Sequence, residues 1–170
     1  MKRIPLIHII VAALFGVISI QTASAQFEGT VGAGPHAGYG AEINSLGVGA
    51  HIHYYYTNEV RLAPSFTHFI KRENTGSWMV DADAHYILPV SVSASLYPIA
   101  GLHFSHWTLQ SGDEGVNVPS EQTAWRLGAN MGLGVQHDIG YRVRANYELK
   151  YQFIRDYAQI VFMAGIGFWF

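Results

Sequence analysis

The stretch YRVRANYELKYQF, residues 141–153, decides the fold because two kinds of side chain alternate along it. Its odd positions, from Tyr141 to Phe153, are apolar or aromatic, and its even positions, from Arg142 to Gln152, are charged or polar. A period of two predicts an extended β-strand with two different faces. Such a strand fits either a water-soluble sandwich, with its polar face in solvent, or a barrel whose apolar face contacts lipid.

The N-terminal segment has the pattern of a secretory signal peptide. Residues 1–25 contain a basic pair, an apolar run and the small-residue triplet Ala-Ser-Ala. This order predicts export and cleavage before Gln26. The apolar run is shorter than the ~20 residues of a spanning helix, which disfavours an uncleaved membrane anchor. We therefore expect residues 1–25 to be a signal peptide and residues 26–170 to form one domain.

The composition excludes several kinds of function. The chain contains no cysteine, which excludes disulfides, thiolate metal sites and a cysteine nucleophile. It has 10 Lys and Arg against 12 Asp and Glu and lacks a basic patch, so we expect no nucleic-acid partner. Barrel strands of about ten alternating residues give only a weak hydropathy signal. The missing long apolar run after residue 25 is therefore compatible with a barrel that crosses a membrane.

Eight alternating segments fill the predicted domain, and the connections between them alternate in length. In outer-membrane barrels the tight turns are periplasmic and the longer loops are external. The expected external connections are residues 37–43, 71–76, 110–122 and 155–157, and the expected turns lie near Asn58, Pro89 and Asp138. An even number of strands lets the sheet close without an unpaired edge. Pro64 and Pro98 fall inside strands, where we expect bulges that shift the two faces.

The polar face of the segments is expected to line a narrow interior. That face carries many glycines, among them Gly134 and Gly167, which we expect to flank Arg144 on the neighbouring strands. An eight-stranded barrel is only wide enough inside to be filled by side chains, so long side chains need glycine neighbours. Opposite charges on this face predict a paired ion network and not an open pore. Its predicted members are Glu28, Arg61, Asp81, Asp83, Arg126, Arg142, Arg144, Glu148 and Lys150.

Aromatic residues cluster near both ends of the apolar face. Such clusters are typical of the two aromatic girdles at membrane–water interfaces. The predicted girdle residues are Tyr54, Tyr56, Tyr86, Tyr141, Phe168 and Phe170 at one end, and Trp78, Phe104, Trp125 and Phe153 at the other. In a soluble sandwich, core aromatics would not sort by strand end, so this pattern favours the barrel.

The signal peptide, the alternating strands and the terminal GIGFWF, which ends in Phe170, resemble the small eight-stranded outer-membrane barrels of the outer-membrane-protein A and X type. The resemblance implies an all-β, antiparallel, up-and-down transmembrane β-barrel in the cell outer membrane. It also implies that Ile166, Phe168 and Phe170 of the last strand are the signature read by the barrel-assembly machinery. We expect a monomer surrounded by outer-membrane lipid and lipopolysaccharide.

The best candidate for catalytic chemistry is LHFSH, which places His103 and Ser105 two residues apart with Glu114 or Glu121 downstream. A serine nucleophile needs a base within hydrogen-bond reach and an acidic group behind that base. The pair resembles the His-x-Ser element of the outer-membrane lipid A deacylases, in which it faces lipid. Here the alternation turns both residues into the lumen. We favour a role of His103 and Ser105 as lumen-filling side chains, and an acyl hydrolase that uses them is the alternative.

Histidines also raise the question of a metal. His51 and His53 share a face, and His85 is expected at a similar depth on another strand. Three imidazoles can hold zinc, but inward imidazoles also fill a polar interior. The sequence therefore predicts neither a metal nor a cofactor. The expected function is a structural or surface-interaction barrel, with an acyl hydrolase and a narrow channel as alternatives.

Overall fold

A computed structural model describes residues 27–72, 75–111, 120–155 and 158–170, so the predicted signal peptide, residues 1–25, lies outside the described residues. The described part of the chain contains nine β-strands. No helix in that part has the length and apolar character needed to cross a membrane. The strands are β1 (Val31–Gly40), β2 (Ser45–Tyr55), β3 (Val60–Arg72), β4 (Thr75–Tyr86), β5 (Leu88–Pro89), β6 (Ala94–Ser111), β7 (Ser120–Asp138), β8 (Val143–Ile154) and β9 (Gln159–Trp169).

The eight long strands close into one antiparallel barrel. Most strands pair with their neighbours in sequence, β4 pairs with β6, and β1 pairs with β9 to complete the ring. The remaining strand, β5, has two residues and extends the wall where Leu88 lies opposite Leu96 of β6. The predicted all-β, eight-stranded, up-and-down architecture is therefore confirmed.

Alternation along the strands sets the two faces of the barrel wall. In β8, Leu149 points outward and is exposed, whereas Asn146 and Lys150 point inward and are buried. On β7 the outward Leu127 is 77% exposed and Leu133 is 68% exposed. The barrel therefore carries its apolar side chains outside and its polar side chains inside. This arrangement is the reverse of a water-soluble sandwich.

Strand β1 continues further toward the loop end than the sequence predicts. The Gly-rich stretch expected as a connection, residues 37–43, belongs to the strand up to Gly40, and the turn covers only residues 41–44. The reason lies in the packing of the interior. A Cβ atom on Gly38 would collide with the side chain of Met163 on β9. Glycine at this position makes room for a long neighbour inside the barrel and does not mark a turn.

The two prolines do not shift the faces of their strands. Pro64 lies opposite Ala82, and Pro98 lies opposite Leu133, each in the same register as its neighbours. Both prolines are exposed on the outer face. A proline removes one ladder hydrogen bond but adds no residue to the strand, so alternation continues through it. The expected bulges are therefore wrong; in the described pairing of β3 with β4, the register shifts only beyond Phe69.

The two ends of the barrel carry different connections. We call the end with residues 56–59, 87–93 and 139–142 the tight-turn end. The opposite end, the loop end, carries residues 41–44 and the connections that include residues 73–74, 112–119 and 156–157, which lie outside the described part. Strands β6 and β7, with 18 and 19 residues, are the longest and extend toward the loop end.

The interior is stacked in three layers. An apolar layer at each end encloses a polar layer in the middle. The layer at the tight-turn end contains Tyr55, Ile87, Tyr97, Ile99 and Trp169, and the layer at the loop end contains Phe69, Met79, Val161 and Met163. The side chains of Arg61, Asp81, Asp83 and Lys150 lie between these two layers and are buried.

Candidate functional site

Lys150 lies in the middle of the polar layer between two aspartates. Asp81 and Asp83 point inward together because they are two residues apart on β4. The Nζ atom of Lys150 lies 2.8 Å from Oδ2 of Asp81 and 2.9 Å from Oδ2 of Asp83. Asn130 donates its Nδ2–H to Oδ1 of Asp83 at 2.8 Å, and Nδ1 of His103 lies 2.7 Å from Oδ1 of Asp81. All five side chains are buried, so the charges compensate one another inside the protein.

Arg61 is a second fully buried cation, nearer the tight-turn end. Its guanidinium donates to Nδ1 of His85 from Nε at 3.2 Å and from Nη2 at 2.8 Å, and Nη1 donates to Oε1 of Gln136. The Cζ atom of Arg61 lies 4.7 Å from the centroid of the Tyr97 ring. The hydroxyl of Tyr97 in turn donates to Oε1 of Glu148 at 3.1 Å. Among the described residues, Arg61 therefore donates hydrogen bonds to neutral partners, and Tyr97 links it to Glu148.

Arg144 and aromatic rings close the tight-turn end. The Nε atom of Arg144 lies 3.0 Å from Oδ1 of Asp138. Its Cζ atom lies 4.7 Å from the centroid of the Phe27 ring and 4.3 Å from the centroid of the Trp169 ring system. The backbone N–H of Phe27 donates to Oδ1 of Asn58 at 2.8 Å, which anchors the segment before β1 across this end.

Two members of the predicted ion network lie elsewhere. Glu28 and Arg142 are exposed, because Glu28 precedes β1 and Arg142 precedes β8, where strand alternation no longer fixes the direction of a side chain. Arg126 is half-buried on the inner face toward the loop end. The prediction that Glu28 and Arg142 lie in the interior is therefore wrong.

The neighbours of Arg144 also differ from the prediction on one side. Gly167 of β9 lies opposite Arg144, but the residue opposite it on β7 is Asp138. Gly134 lies opposite Glu148, four residues further along β8. Local alternation gives the face of a residue but not the register between strands, so the predicted pair of glycines was only half correct.

His103 and Ser105 both lie in the interior and are buried. The acidic group beside His103 is Asp81, whereas the side chain of the predicted partner, Glu121, lies outside the described residues. Oγ of Ser105 accepts a hydrogen bond from Nε1 of Trp107 at 3.0 Å. The hydrogen bonds of the described residues include none between His103 and Ser105. A serine held in this way lacks the neighbouring base that acyl transfer requires.

A second cluster surrounds a small cavity in the polar layer. The cavity has a volume of about 20 Å³ and is lined by His51, His53, His85 and Glu148 among others. The ring centroids of His51 and His53 are 4.3 Å apart, and those of His53 and His85 are 5.9 Å apart. Ring nitrogens of His53 and His85 and a carboxylate oxygen of Glu148 all lie within 4.8 Å of one another.

Glu148 is the member of this cluster that the sequence did not associate with histidines. The alternation on β8 placed its side chain inside, but the sequence interpretation grouped it with the charged residues. Its contact with His85, at 4.0 Å from Oε1 to Nε2, joins β8 to β4 across the barrel. Only the closed barrel brings these two strands face to face.

Comparisons with known proteins reveal similarity at the level of fold. No protein-family model and no curated protein matches the chain. The N-terminal β-barrel domain of Pseudomonas aeruginosa OprF aligns with a TM-score of 0.69 and 20% identity, over 86% of this chain and 100% of that domain. Ail of Yersinia pestis aligns with a TM-score of 0.60 and 16% identity, over 84% and 99% of the two chains. Neisserial surface protein A aligns with a TM-score of 0.60 and 17% identity, over 83% and 96%.

Proposed function

We propose that this chain is a small integral protein of the cell outer membrane that acts as a structural or surface-interaction barrel. The observation that carries the proposal is the distribution of side chains across the wall, apolar toward the outside and charged toward the inside. A wall of this kind is stable only where a hydrocarbon medium bathes the outer face. The fold shared with OprF, Ail and Neisserial surface protein A supports the same location.

The aromatic residues of the outer face support a membrane position. Trp78, Phe104 and Trp125 form a cluster on neighbouring strands toward the loop end, with centroids of Phe104 and Trp125 5.3 Å apart. Exposed Tyr86 and Phe168 lie toward the tight-turn end. Two such bands fit the two interfaces of a bilayer. The loop end then faces the exterior and the tight-turn end faces the periplasm.

The filled interior favours an anchor over a channel. Two apolar layers enclose the ion pairs of Lys150, and Arg144 with its aromatic neighbours covers the tight-turn end. A conducting pore needs a continuous wet path, whereas these side chains contact one another across the lumen. We therefore assign no transport role to the barrel. Acyl hydrolysis is also less well supported, because Ser105 is buried among the side chains that fill the lumen.

Strand β7 supports a surface-interaction role. In the described part of the chain, its pairing with β8 begins at Gly128, whereas its pairing with β6 continues to Ser120. Among the described residues, residues 120–124 pair with β6 on one side and with no strand on the other, so they form a strand edge at the loop end. Unpaired N–H and C=O groups along an edge can pair with an extended segment of another protein.

Charge at the loop end indicates the kind of partner. Ail is described as an attachment invasion locus protein, and one structure of it contains the heparin analogue sucrose octasulfate. The longest connection of the present chain instead contains Asp113 and Glu114, and Glu121 lies at the start of β7. Acidic residues repel a sulfated ligand, so an extended protein segment fits this connection better than a polyanion does.

The C-terminal strand supports insertion by the barrel-assembly machinery. Phe170 is 81% exposed, and its backbone N–H donates to the carbonyl oxygen of Val31 at 3.0 Å, next to the β1–β9 seam. Ile166 and Phe168 are exposed on the same outer face. An exposed row of this kind is available to another protein before the barrel closes.

An epitope-insertion experiment tests the proposed location and orientation. One variant carries a short epitope within residues 112–119, and a matched variant carries it within residues 139–142. Both are expressed in a Gram-negative host and probed with antibody on intact and on permeabilised cells. We expect outer-membrane fractionation of both, with labelling of intact cells for the first variant only. Recovery of the chain in the soluble fraction, or labelling of intact cells for the second variant only, would contradict the proposal.

A further inference from the structure

We propose that the polar layer of the barrel binds one divalent transition-metal ion of the zinc class, through Nδ1 of His53, Nε2 of His85 and the carboxylate of Glu148. The three residues come from β2, β4 and β8 and meet only inside the closed barrel. This site goes beyond the structural role proposed above. The interior of the barrel would then have two states, one with the ion bound and one without it.

The geometry leaves room for one ion. One ring nitrogen of His53, one ring nitrogen of His85 and one carboxylate oxygen of Glu148 lie within 4.8 Å of one another. Tetrahedral zinc with bonds of about 2.1 Å holds its ligand atoms about 3.4 Å apart, so each pair of ligand atoms must approach by at most about 1.4 Å. The adjoining cavity of about 20 Å³ is large enough for a water molecule or an ion of similar size.

Two of the proposed ligand atoms are buried nitrogens without partners. Within the described part of the chain, Nδ1 of His53 and Nε2 of His85 make no hydrogen bond, and each residue is only 2% exposed. A buried polar atom that remains unpaired costs about 1–3 kcal/mol, so such atoms are uncommon without a reason. A bound ion would satisfy both nitrogens. Nε2 of His51, which lines the same cavity, is also unpartnered.

The charge of the layer also favours a cation, because the three carboxylates Asp81, Asp83 and Glu148 outnumber the two cations Lys150 and Arg61. Lys150 is matched by Asp81 and Asp83, both within 2.9 Å. The remaining carboxylate, Glu148, has a side chain that is 14% exposed, and among the described residues only His85 approaches it within ion-pair distance. Two imidazoles and one carboxylate are a donor set that suits zinc, with an open position for water.

Arg61 limits the affinity of the site. Because the guanidinium donates to Nδ1 of His85, the neutral ring carries its proton on Nε2 in the metal-free protein. Metal binding through Nε2 moves that proton to Nδ1, so Arg61 must turn toward Gln136 and Tyr97, which it already contacts. The proton stays on the ring and no other group gains or loses one. This rearrangement costs free energy, so we expect reversible binding and not a permanently loaded site.

Calorimetric titration of Zn²⁺ into the protein as it is purified from membranes in detergent tests the proposal. Glu148→Gln keeps an acceptor for the Tyr97 hydroxyl and removes the charged ligand. His137→Gln removes an exposed histidine and is the matched control. We expect one ion per barrel for the unchanged chain and for His137→Gln, and a Kd at least about tenfold higher for Glu148→Gln. Equal affinity in all three proteins, or the absence of binding, would overturn the site.

A measurement on the unchanged chain keeps the test independent of any variant that fails to fold. Nitrogen-15 spectra of labelled histidines report which ring nitrogen carries the proton. We expect the His85 proton on Nε2 without Zn²⁺ and on Nδ1 with it. Co²⁺ in place of Zn²⁺ should give the visible absorption of a tetrahedral site. If the His85 spectrum does not change when Zn²⁺ is added, the ion is bound elsewhere and the assignment is wrong.

Discussion

The Nζ atom of Lys150 on β8 lies 2.8 Å from the Oδ2 atom of Asp81 on β4, although the two residues are 69 positions apart in the chain. The ion pair connects opposite walls of the barrel through its centre. It is therefore both a filler of the lumen and a cross-link between strands that share no backbone hydrogen bond.

Loss of this lysine should destabilise the barrel strongly. Lys150→Met leaves Asp81 and Asp83 buried without their cation, and we expect a loss of about 3–5 kcal/mol in the free energy of unfolding. Urea unfolding in lipid vesicles, followed by tryptophan fluorescence, measures the loss. Arg155→Met, which changes an exposed cation, is the control and should stay within about 0.5 kcal/mol. Equal stability of the two variants would contradict the paired interior.

Gly134 should tolerate no side chain. A Cβ atom at this position would collide with the ring of Tyr97, which is fully buried. We expect Gly134→Ala to lower the free energy of unfolding by about 1–3 kcal/mol through overpacking. Gly140→Ala is the matched control, because no atom lies within 4 Å of the added methyl group. If Gly134→Ala and Gly140→Ala change the free energy of unfolding equally, the ring of Tyr97 does not pack against Gly134.

The outer face should reject a charge at mid-strand. Leu149 is 55% exposed between Leu133 and Phe162 of the neighbouring strands. In a bilayer, Leu149→Arg should cost about 2–4 kcal/mol, whereas Ile139→Arg in the turn before β8 should cost at most about 1 kcal/mol. Unfolding in vesicles measures the difference. A stable Leu149→Arg variant would indicate that water, and not lipid, covers this face.

Removal of Phe170 should impair assembly in cells more than folding in vitro. The side chain is exposed and makes little interior contact, so the truncated chain should still fold into detergent micelles. In cells we expect reduced recovery in the outer membrane and accumulation of unfolded chain. Phe153→Ala removes an exposed aromatic residue from another strand and should leave recovery unchanged. Equal recovery of the truncated and unchanged chains would argue against a signature in the last strand.

The barrel should not conduct ions. Planar-bilayer recording of the purified chain should give no steady open level, because the layers around Tyr97 and Phe69 close the interior above and below the ion pairs. A stable open level in the unchanged protein would show that these layers do not seal the lumen.

The sequence alone determined the type of strand and its two faces. In YRVRANYELKYQF the period of two fixes Leu149 outside and Lys150 inside, since successive side chains of a strand must point in opposite directions. The same rule holds through Pro64 and Pro98, where the structure shows no shift of faces. Fold class and the environment of each face therefore follow from local chemistry.

Only the tertiary structure decided which inward residues meet. Asp138 and not Gly134 lies opposite Arg144, and Glu148 approaches His85, because the register between strands depends on the turns and the stagger of the closed sheet. The apolar layer that contains Tyr97 could also be identified only from the structure. Alternation identifies a residue as inward, but the depth at which its side chain lies, and therefore its neighbours, is set by the geometry of closure.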